Sequence, residues 1–361
     1  MRITAAVARA PGSPFVLETL DLDDPRPDEI LVRVAAAGLC HTDLVAKAAA
    51  PAGPAVLGHE GAGVVERVGG AVRGVRPGDR VVLSYRSCRA CRLCRAGRTA
   101  YCERTALLNN SGRRADGSAT MWRDGTPVAG SFFGQSSFAS HALASADNAV
   151  VVGRGADLTR AAPLGCGFQT GAGAVLNVLR PEPGARLVIY GAGSVGLAAL
   201  LAAGAAGVRG AVAVDVRPGR RALAVRLGAD AALDPDAGDL VAAVRGATGG
   251  GATHALDTTG VPSVVAAAAK ALAPTGTLVV VGLGEAELTV DVRDIMVGGK
   301  TVRGCVEGDA VPERFIPRLL ALQADGRFPV GDLVTVYPFA EINRAVADHC
   351  SGAAVKPVLV W

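Results

Sequence analysis

Cys88, Cys91, Cys94 and Cys102 fall in one short stretch with the spacing Cys-x2-Cys-x2-Cys-x7-Cys. Such crowding suits a tetrahedral thiolate site, and the cation it predicts is a structural Zn2+, because four protein ligands leave no open position. A redox-inert ion would cross-link a lobe that has almost no apolar core of its own. Four thiolates around one Zn2+ carry net negative charge, and Arg86, Arg89, Arg92, Arg95, Arg98 and Arg104 interleave with them to offset it. In a reducing compartment the pattern reads as metal binding rather than disulfides. Three further metal-type side chains lie elsewhere: Cys40 in Cys40-His41-Thr42-Asp43, His59 in Gly58-His59-Glu60-Gly61, and Cys166 in Gly165-Cys166-Gly167. Linear order leaves open whether these three converge, and each taken singly is more often a buried thiol or a structural histidine. Cys305 and Cys350 have no motif and read as ordinary buried thiols. His141, His254 and His349 carry no assignable role.

The second kind of chemistry is phosphate binding. Gly191-Ala-Gly193-Ser-Val195-Gly196 follows the apolar run Leu187–Tyr190 and opens a helical pattern at Ser194. The first glycine permits a tight turn, the second lets backbone approach a pyrophosphate, and the third lets the helix pack on the strand. The phosphates then meet unpaired N–H groups and the helix dipole. Asp215 ends the next strand pattern, where its carboxylate would accept hydrogen bonds from the adenosine ribose and repel a 2′-phosphate. NAD is therefore predicted over NADP, with Arg217 and Arg220 weighing the other way.

These residues need scaffolds of two kinds. The first third of the 361-residue chain reads as short strands, at 30–34, 63–68 and 80–83, punctuated by Pro25, Pro27, Pro51, Pro54 and the Pro77-Gly78-Asp79 turn. From Pro163 onward strands alternate with helices: 187–190, 194–206, 211–215, 220–227, 255–257, 264–273 and 278–281. That alternation predicts a parallel, doubly wound sheet. After about Gly304 a helix at 313–323 and strands at 333–337 and 357–360 return to the first style. The expected organisation is a β-rich domain from residues 1–165 and 306–361, carrying a zinc lobe at 84–104, with an α/β domain at 166–305 inserted.

Half of the residues are hydrophobic and 19% are charged, a globular balance. A net charge of +4 is too mild for nucleic-acid binding without clustering, and the one arginine cluster is accounted for by thiolates. No signal peptide is visible near Met1, and the apolar run 187–203 is broken by glycines, so no membrane span is expected and a cytoplasmic location is the default.

The chain resembles the zinc-containing medium-chain dehydrogenases over nearly its whole length. The matching segments are Gly38–Asp43, Gly58–Gly63, the four-cysteine lobe, Cys166–Gly171, the glycine turn with Asp215, and Val281-Gly-Leu283. Within that family it is most similar to the NAD-dependent aryl-alcohol (benzyl-alcohol) dehydrogenases, on Cys166–Ala174, Phe132–Ala139 and Tyr337-Pro-Phe339. The resemblance implies an α/β fold in which a doubly wound Rossmann domain is inserted in a β-rich GroES-like catalytic domain. It implies a catalytic zinc held by Cys40, His59 and Cys166, with the fourth position open to water or substrate oxygen. Asp43 would hold the other nitrogen of His59, and Glu60 would lie behind the metal. Thr42 would pass the alcohol proton to the nicotinamide ribose. His41 and Lys356 would sit near the pyrophosphate, Arg220 near the ribose, and Thr170, Val195 and Val281 along the nicotinamide. The reaction implied is reversible oxidation of a primary aryl or allylic alcohol to its aldehyde, by a homodimer or homotetramer using two Zn2+ per chain.

Two departures from the family stand out. Many relatives carry a histidine where this chain has Val45, so proton exit must use His41, the ribose and water, or another route. The stretch Val45–Pro54 is short and built of small residues, which predicts a wider substrate mouth. An S-(hydroxymethyl)thiol dehydrogenase shares both zinc sites, but its substrates need pocket cations, and Lys47 is the one candidate. A non-catalytic NAD- and zinc-binding interaction protein has no use for an open-site metal.

Overall fold

The computed structural model describes residues 1–49 and 53–361. Ala50, Pro51 and Ala52, within the small-residue stretch expected at the substrate mouth, lie outside the described residues. The chain forms two compact units. One comprises Met1–Cys166, Val311–Leu320 and Gly331–Trp361; the other comprises Gly167–Ala310 and Ala321–Val330. Cys166 thus groups with the first unit, and the segment 321–330 with the second.

The first unit is built on two sheets. The larger has the strand order Ala149–Val152, Arg80–Leu83, Glu60–Val68, Glu29–Gly38, Lys356–Val360, Val334–Pro338, with His141–Ser145 also pairing to Glu29–Gly38. Alternation along these strands turns Ile30, Val32, Val34, Val65, Val81, Leu83 and Leu359 into one buried core, which Phe138 joins from the segment before His141–Ser145. The register that matters most joins Gly38 to Glu60 and Ala37 to Gly61 across antiparallel neighbours. It carries the turn after Gly38 alongside the start of Glu60–Val68. Gly38 is needed there, because a Cβ would overlap the Glu60 carboxylate. A smaller sheet, Ala55–Val56, Arg2–Ala8, Val16–Leu22, Met121–Arg123 and Thr126–Val128, completes the unit.

The second unit holds six parallel strands ordered Ala231–Leu233, Val212–Val214, Leu187–Tyr190, Ala252–Asp257, Leu272–Val280, Thr301–Gly304. Counted along the unit, that is the 3-2-1-4-5-6 order of a dinucleotide-binding sheet. The central strands Leu187–Tyr190 and Val212–Val214 read as continuous apolar runs because both faces are covered; Val188, Tyr190, Val212, Val214, Val265 and Leu278 share one core. Helices Ser194–Ala205, Pro218–Arg226 and Pro262–Ala271 match the sequence pattern to within a few residues. Helices Leu240–Ala247 and Ile342–Ser351 were not anticipated, because one is short and the other is interrupted by polar residues on its exposed face. No described helix is long and apolar enough to cross a membrane. Cys350, expected to be buried, is exposed on the last turn of Ile342–Ser351.

Candidate active site

Cys40, His59, Glu60 and Cys166 converge. One donor atom from each lies within 4.8 Å of all the others, and all four side chains are buried. Cys40 ends the Glu29–Gly38 strand turn and caps helix His41–Ala48, where Asp43 accepts from the Cys40 backbone N–H at 3.0 Å. The same carboxylate accepts from the Gly58 N–H at 3.1 Å and faces His59 Nδ1 at 2.8 Å. Asp43 is wholly buried, so it fixes the imidazole with Nδ1 as the donor and Nε2 as the lone-pair nitrogen. His59 Nε2 is buried with no hydrogen-bond partner. A buried orphan nitrogen is costly unless something else takes the lone pair, and two sulfurs and a carboxylate surround it. The Cys166 thiol, with help from the Lys356 ammonium, holds the Cys40 thiol well below its ordinary pKa despite burial. The donor set is two thiols and a neutral imidazole, which fits a zinc ion with an open position.

Lys356 requires a correction. It is fully buried, donating to Glu60 Oε1 at 2.9 Å, Glu60 Oε2 at 3.0 Å and the Leu39 carbonyl at 3.3 Å. An ammonium enclosed this way cannot reach a solvent-facing pyrophosphate. It neutralises Glu60 instead, whose carboxyl burial pushes up while Lys356 pulls it down. Thr42 is half-buried with Oγ1 3.8 Å from Cys40 Sγ, and His41 is exposed at the helix start. Val45 is 42% exposed. The Lys47 ammonium lies over the Phe15 ring, 5.4 Å from its centroid.

Two aromatic rings face the imidazole. Phe132 meets it edge-on at 5.5 Å and Phe133 lies against it at 4.6 Å. Phe133 has φ 51°, a left-handed conformation that costs a bulky residue about 1 kcal/mol or more. The motif Phe132–Ala139 was legible as a resemblance, but the placement of Phe133 against the imidazole, and of Gln135 against the His59 carbonyl, was not.

The four-cysteine lobe also closes: all four sulfurs lie within 4.8 Å of one another. Backbone N–H groups of Cys91, Cys94, Cys88 and Arg104 donate to the sulfurs of Cys88, Cys91, Cys102 and Cys102, at 3.2–3.4 Å. The amides of Glu103 and Cys94 hold the Cys91 thiol down at about 6, whereas burial pushes Cys94 up to about 12. Arg89, read as an offset for the thiolates, spends its charge on Glu313 at 2.6 Å instead.

In the second unit Gly191 takes φ 90°, and a Cβ on Gly196 would overlap the Gly191 carbonyl, so both glycines are sterically required. Asp215 accepts from the Ala192 N–H at 2.7 Å and the Arg217 N–H at 2.8 Å. Arg220 is 7% exposed and within electrostatic range of Asp215, with burial lowering its pKa. Gly171, the neighbour of Thr170 in the chain, packs on the Val195 carbonyl, and all three are within this unit. Gly193 is exposed at the turn, and Val281 donates its N–H to the Asp257 carbonyl at 2.9 Å.

Residues 26–153 match the alcohol dehydrogenase GroES-like domain, and residues 194–324 match the zinc-binding dehydrogenase domain. The geraniol dehydrogenase of Castellaniella defragrans is 49% identical over 99% of this chain and 97% of its own. The chain belongs to the zinc-binding alcohol dehydrogenase family. A benzyl alcohol dehydrogenase structure from Acinetobacter calcoaceticus superposes with a TM-score of 0.96 at 41% identity, covering 100% of this chain and 99% of that one. An alcohol dehydrogenase zinc-binding domain protein from Burkholderia ambifaria gives a TM-score of 0.97 at 48% identity, with the same coverage. This zinc-dependent alcohol dehydrogenase therefore has the GroES-like and Rossmann-type units that its sequence implied.

Proposed function

We propose that this enzyme oxidises primary allylic and aryl alcohols to aldehydes with NAD, and that Cys40, His59 and Cys166 hold the catalytic zinc. The observation that carries the reading is the unpartnered, buried His59 Nε2 facing two thiols. A zinc ion bound there supplies Lewis-acid polarisation of the alcohol oxygen, and NAD at the glycine turn supplies the hydride acceptor. The chain's own residues do the rest. Asp43 keeps His59 in the ligating tautomer, and two thiolates with a neutral imidazole balance the cation's charge. Thr42 Oγ accepts a hydrogen bond from the substrate hydroxyl and passes its own proton on to the nicotinamide ribose as that one arrives, with His41 next to it for the pyrophosphate. Thr170, Val195 and Val281 orient the nicotinamide, and Asp215 with Arg220 binds the ribose. Cys88, Cys91, Cys94 and Cys102 hold the structural zinc.

The substrate class is supported by Phe132 and Phe133 beside the ligand imidazole, and by relatives named for geraniol and benzyl alcohol. Lys47, engaged with Phe15, offers little to an anionic thiol adduct. A benzyl or geranyl group buries several more carbons than ethanol does, at about 0.8 kcal/mol each, so kcat/KM should favour it by about 100-fold or more. NADH absorbance with benzyl, cinnamyl and geranyl alcohols, ethanol and a formaldehyde–thiol adduct measures this. Faster turnover of the thiol adduct than of benzyl alcohol would overturn the substrate reading.

The assembly we propose is a homodimer that extends the six-stranded sheet. Its last strand, Thr301–Gly304, is exposed throughout. Beside it Val292, Met296 and Val297 are 71–76% exposed and Val302 is 38% exposed. An uncovered edge with apolar neighbours is an association surface. Val302→Lys with Val297→Glu should halve the mass measured by sedimentation. A monomeric unsubstituted enzyme would remove the proposal.

A further inference from the structure

The metal ligands come from three distant chain segments, and Asp43 ties two of them, Cys40 and His59. Nothing assigned so far ties His59 to Cys166. The structure assigns that task to Gln135, acting through Ser84. We infer that the two form a positioning clamp that sets the distance between the His59 and Cys166 ligand atoms; the inference rests on the catalytic zinc assignment above.

Gln135 is wholly buried. Its amide brackets the ligand peptide: Nε2 donates to the His59 carbonyl at 2.9 Å, and Oε1 accepts from the Gly61 N–H at 3.0 Å. Nε2 also donates to the Ser84 carbonyl at 3.4 Å. Ser84, equally buried, turns its hydroxyl the other way and donates to the Gly165 carbonyl at 2.6 Å. The Gly165 carbonyl belongs to the peptide that carries the Cys166 nitrogen. A continuous run of hydrogen bonds therefore joins the backbone of one zinc ligand to the backbone of another. Asn148 Nδ2 braces the joint by donating to the Ser84 carbonyl at 3.1 Å and to the Phe133 carbonyl at 3.3 Å. The clamp thereby also holds the strained turn that lays Phe133 on the His59 ring. Gln135 and Ser84 are sealed from solvent, so water does not replace a lost bond and the ligand peptide is freer to shift.

Gln135 touches neither substrate nor metal, so the experiment must read ligand geometry and not only rate. Gln135→Met keeps the chain length and removes donors and acceptor. Ser84→Ala removes only the Gly165 arm. Each should speed release of one of the two zinc ions to a chelator by about 10- to 100-fold, the size seen when groups orienting metal ligands are lost. The thiolate charge-transfer bands of the cobalt-substituted enzyme should shift, while NADH affinity stays unchanged. In the double variant the factors should fall short of multiplying, because both changes break one clamp. Unchanged zinc release and cobalt spectra in Ser84→Ala and in Gln135→Met overturn the clamp, as do effects that multiply. Should Gln135→Met fail to fold, Ser84→Ala decides alone. An unsubstituted enzyme that carries zinc in the four-cysteine lobe alone overturns the catalytic zinc assignment itself, a result distinct from an intact site with unaltered release.

Discussion

Cys166→Ser should lower kcat/KM for the alcohol by about 1,000-fold or more, roughly 4 kcal/mol, because the metal's work on the substrate proton is lost. Hydroxyl protons of this kind sit near pKa 16 without a Lewis acid and near 7 with one. Serine cannot stand in for cysteine, since a neutral hydroxyl replaces a thiolate in a buried four-donor cluster. His59 Nε2 would then face one thiol and a carboxylate already held by Lys356. The expected metal content falls from two zinc ions to one, since the four-cysteine cluster is a separate group. NADH binding should be unaffected, because the glycine turn and Asp215 belong to the other unit. Metal analysis, fluorescence titration with NADH and steady-state rates on one sample check all three. Full activity with both zinc ions retained would remove Cys166 from the reaction.

Asp215→Asn should shift the preference between NAD and NADP by about 100- to 1,000-fold towards NADP. Two like charges about 5 Å apart repel by roughly 3 kcal/mol at an effective dielectric near 20, which is about two decades. The remainder comes from cations already in place, Arg220 within the carboxylate's field and the Arg217 charge close enough to act on Arg220. Asparagine keeps an acceptor for the Ala192 N–H, which Asp215 holds at 2.7 Å, so the glycine turn stays braced while the charge goes. Comparing kcat/KM for the two cofactors reads the shift as a ratio that a general loss of stability would not move. An unchanged ratio would mean that Asp215 braces the turn and does not choose the cofactor.

Legibility in the sequence followed how local each feature is. Cys88 to Cys102 are close enough in the chain that their spacing nearly dictates convergence. The turn at Gly191 and Gly196 was readable for the same reason: its conformation and its clash-free contact lie within one strand–turn–helix unit. The parallel sheet followed from apolar runs alternating with helical patterns. Cys40, His59 and Cys166 were different. Their spacing carries no geometric information, and resemblance alone joined them until the Gly38–Glu60 register and the turn at Gly165 brought the donors together.

Lys356 shows the limit most clearly. Its resemblance to a phosphate-binding cation rested on position, but a side chain's partner is set by what encloses it. Here strand pairing between 356–360 and 29–38 buries the ammonium against Glu60. Gln135 stood in a segment quoted for resemblance without a role, and Ser84 gave no signal, since a buried polar side chain and an exposed one are the same letter. Thus the sequence alone determined the chemistry available: thiolates for zinc, a glycine turn for a dinucleotide, a carboxylate for its ribose. Only the tertiary structure decided which donors converge, which charges cancel out of solvent's reach, and which amides bond to the peptides beside them. Those outcomes depend on sheet register and desolvation, which couple residues hundreds of positions apart and leave no local pattern.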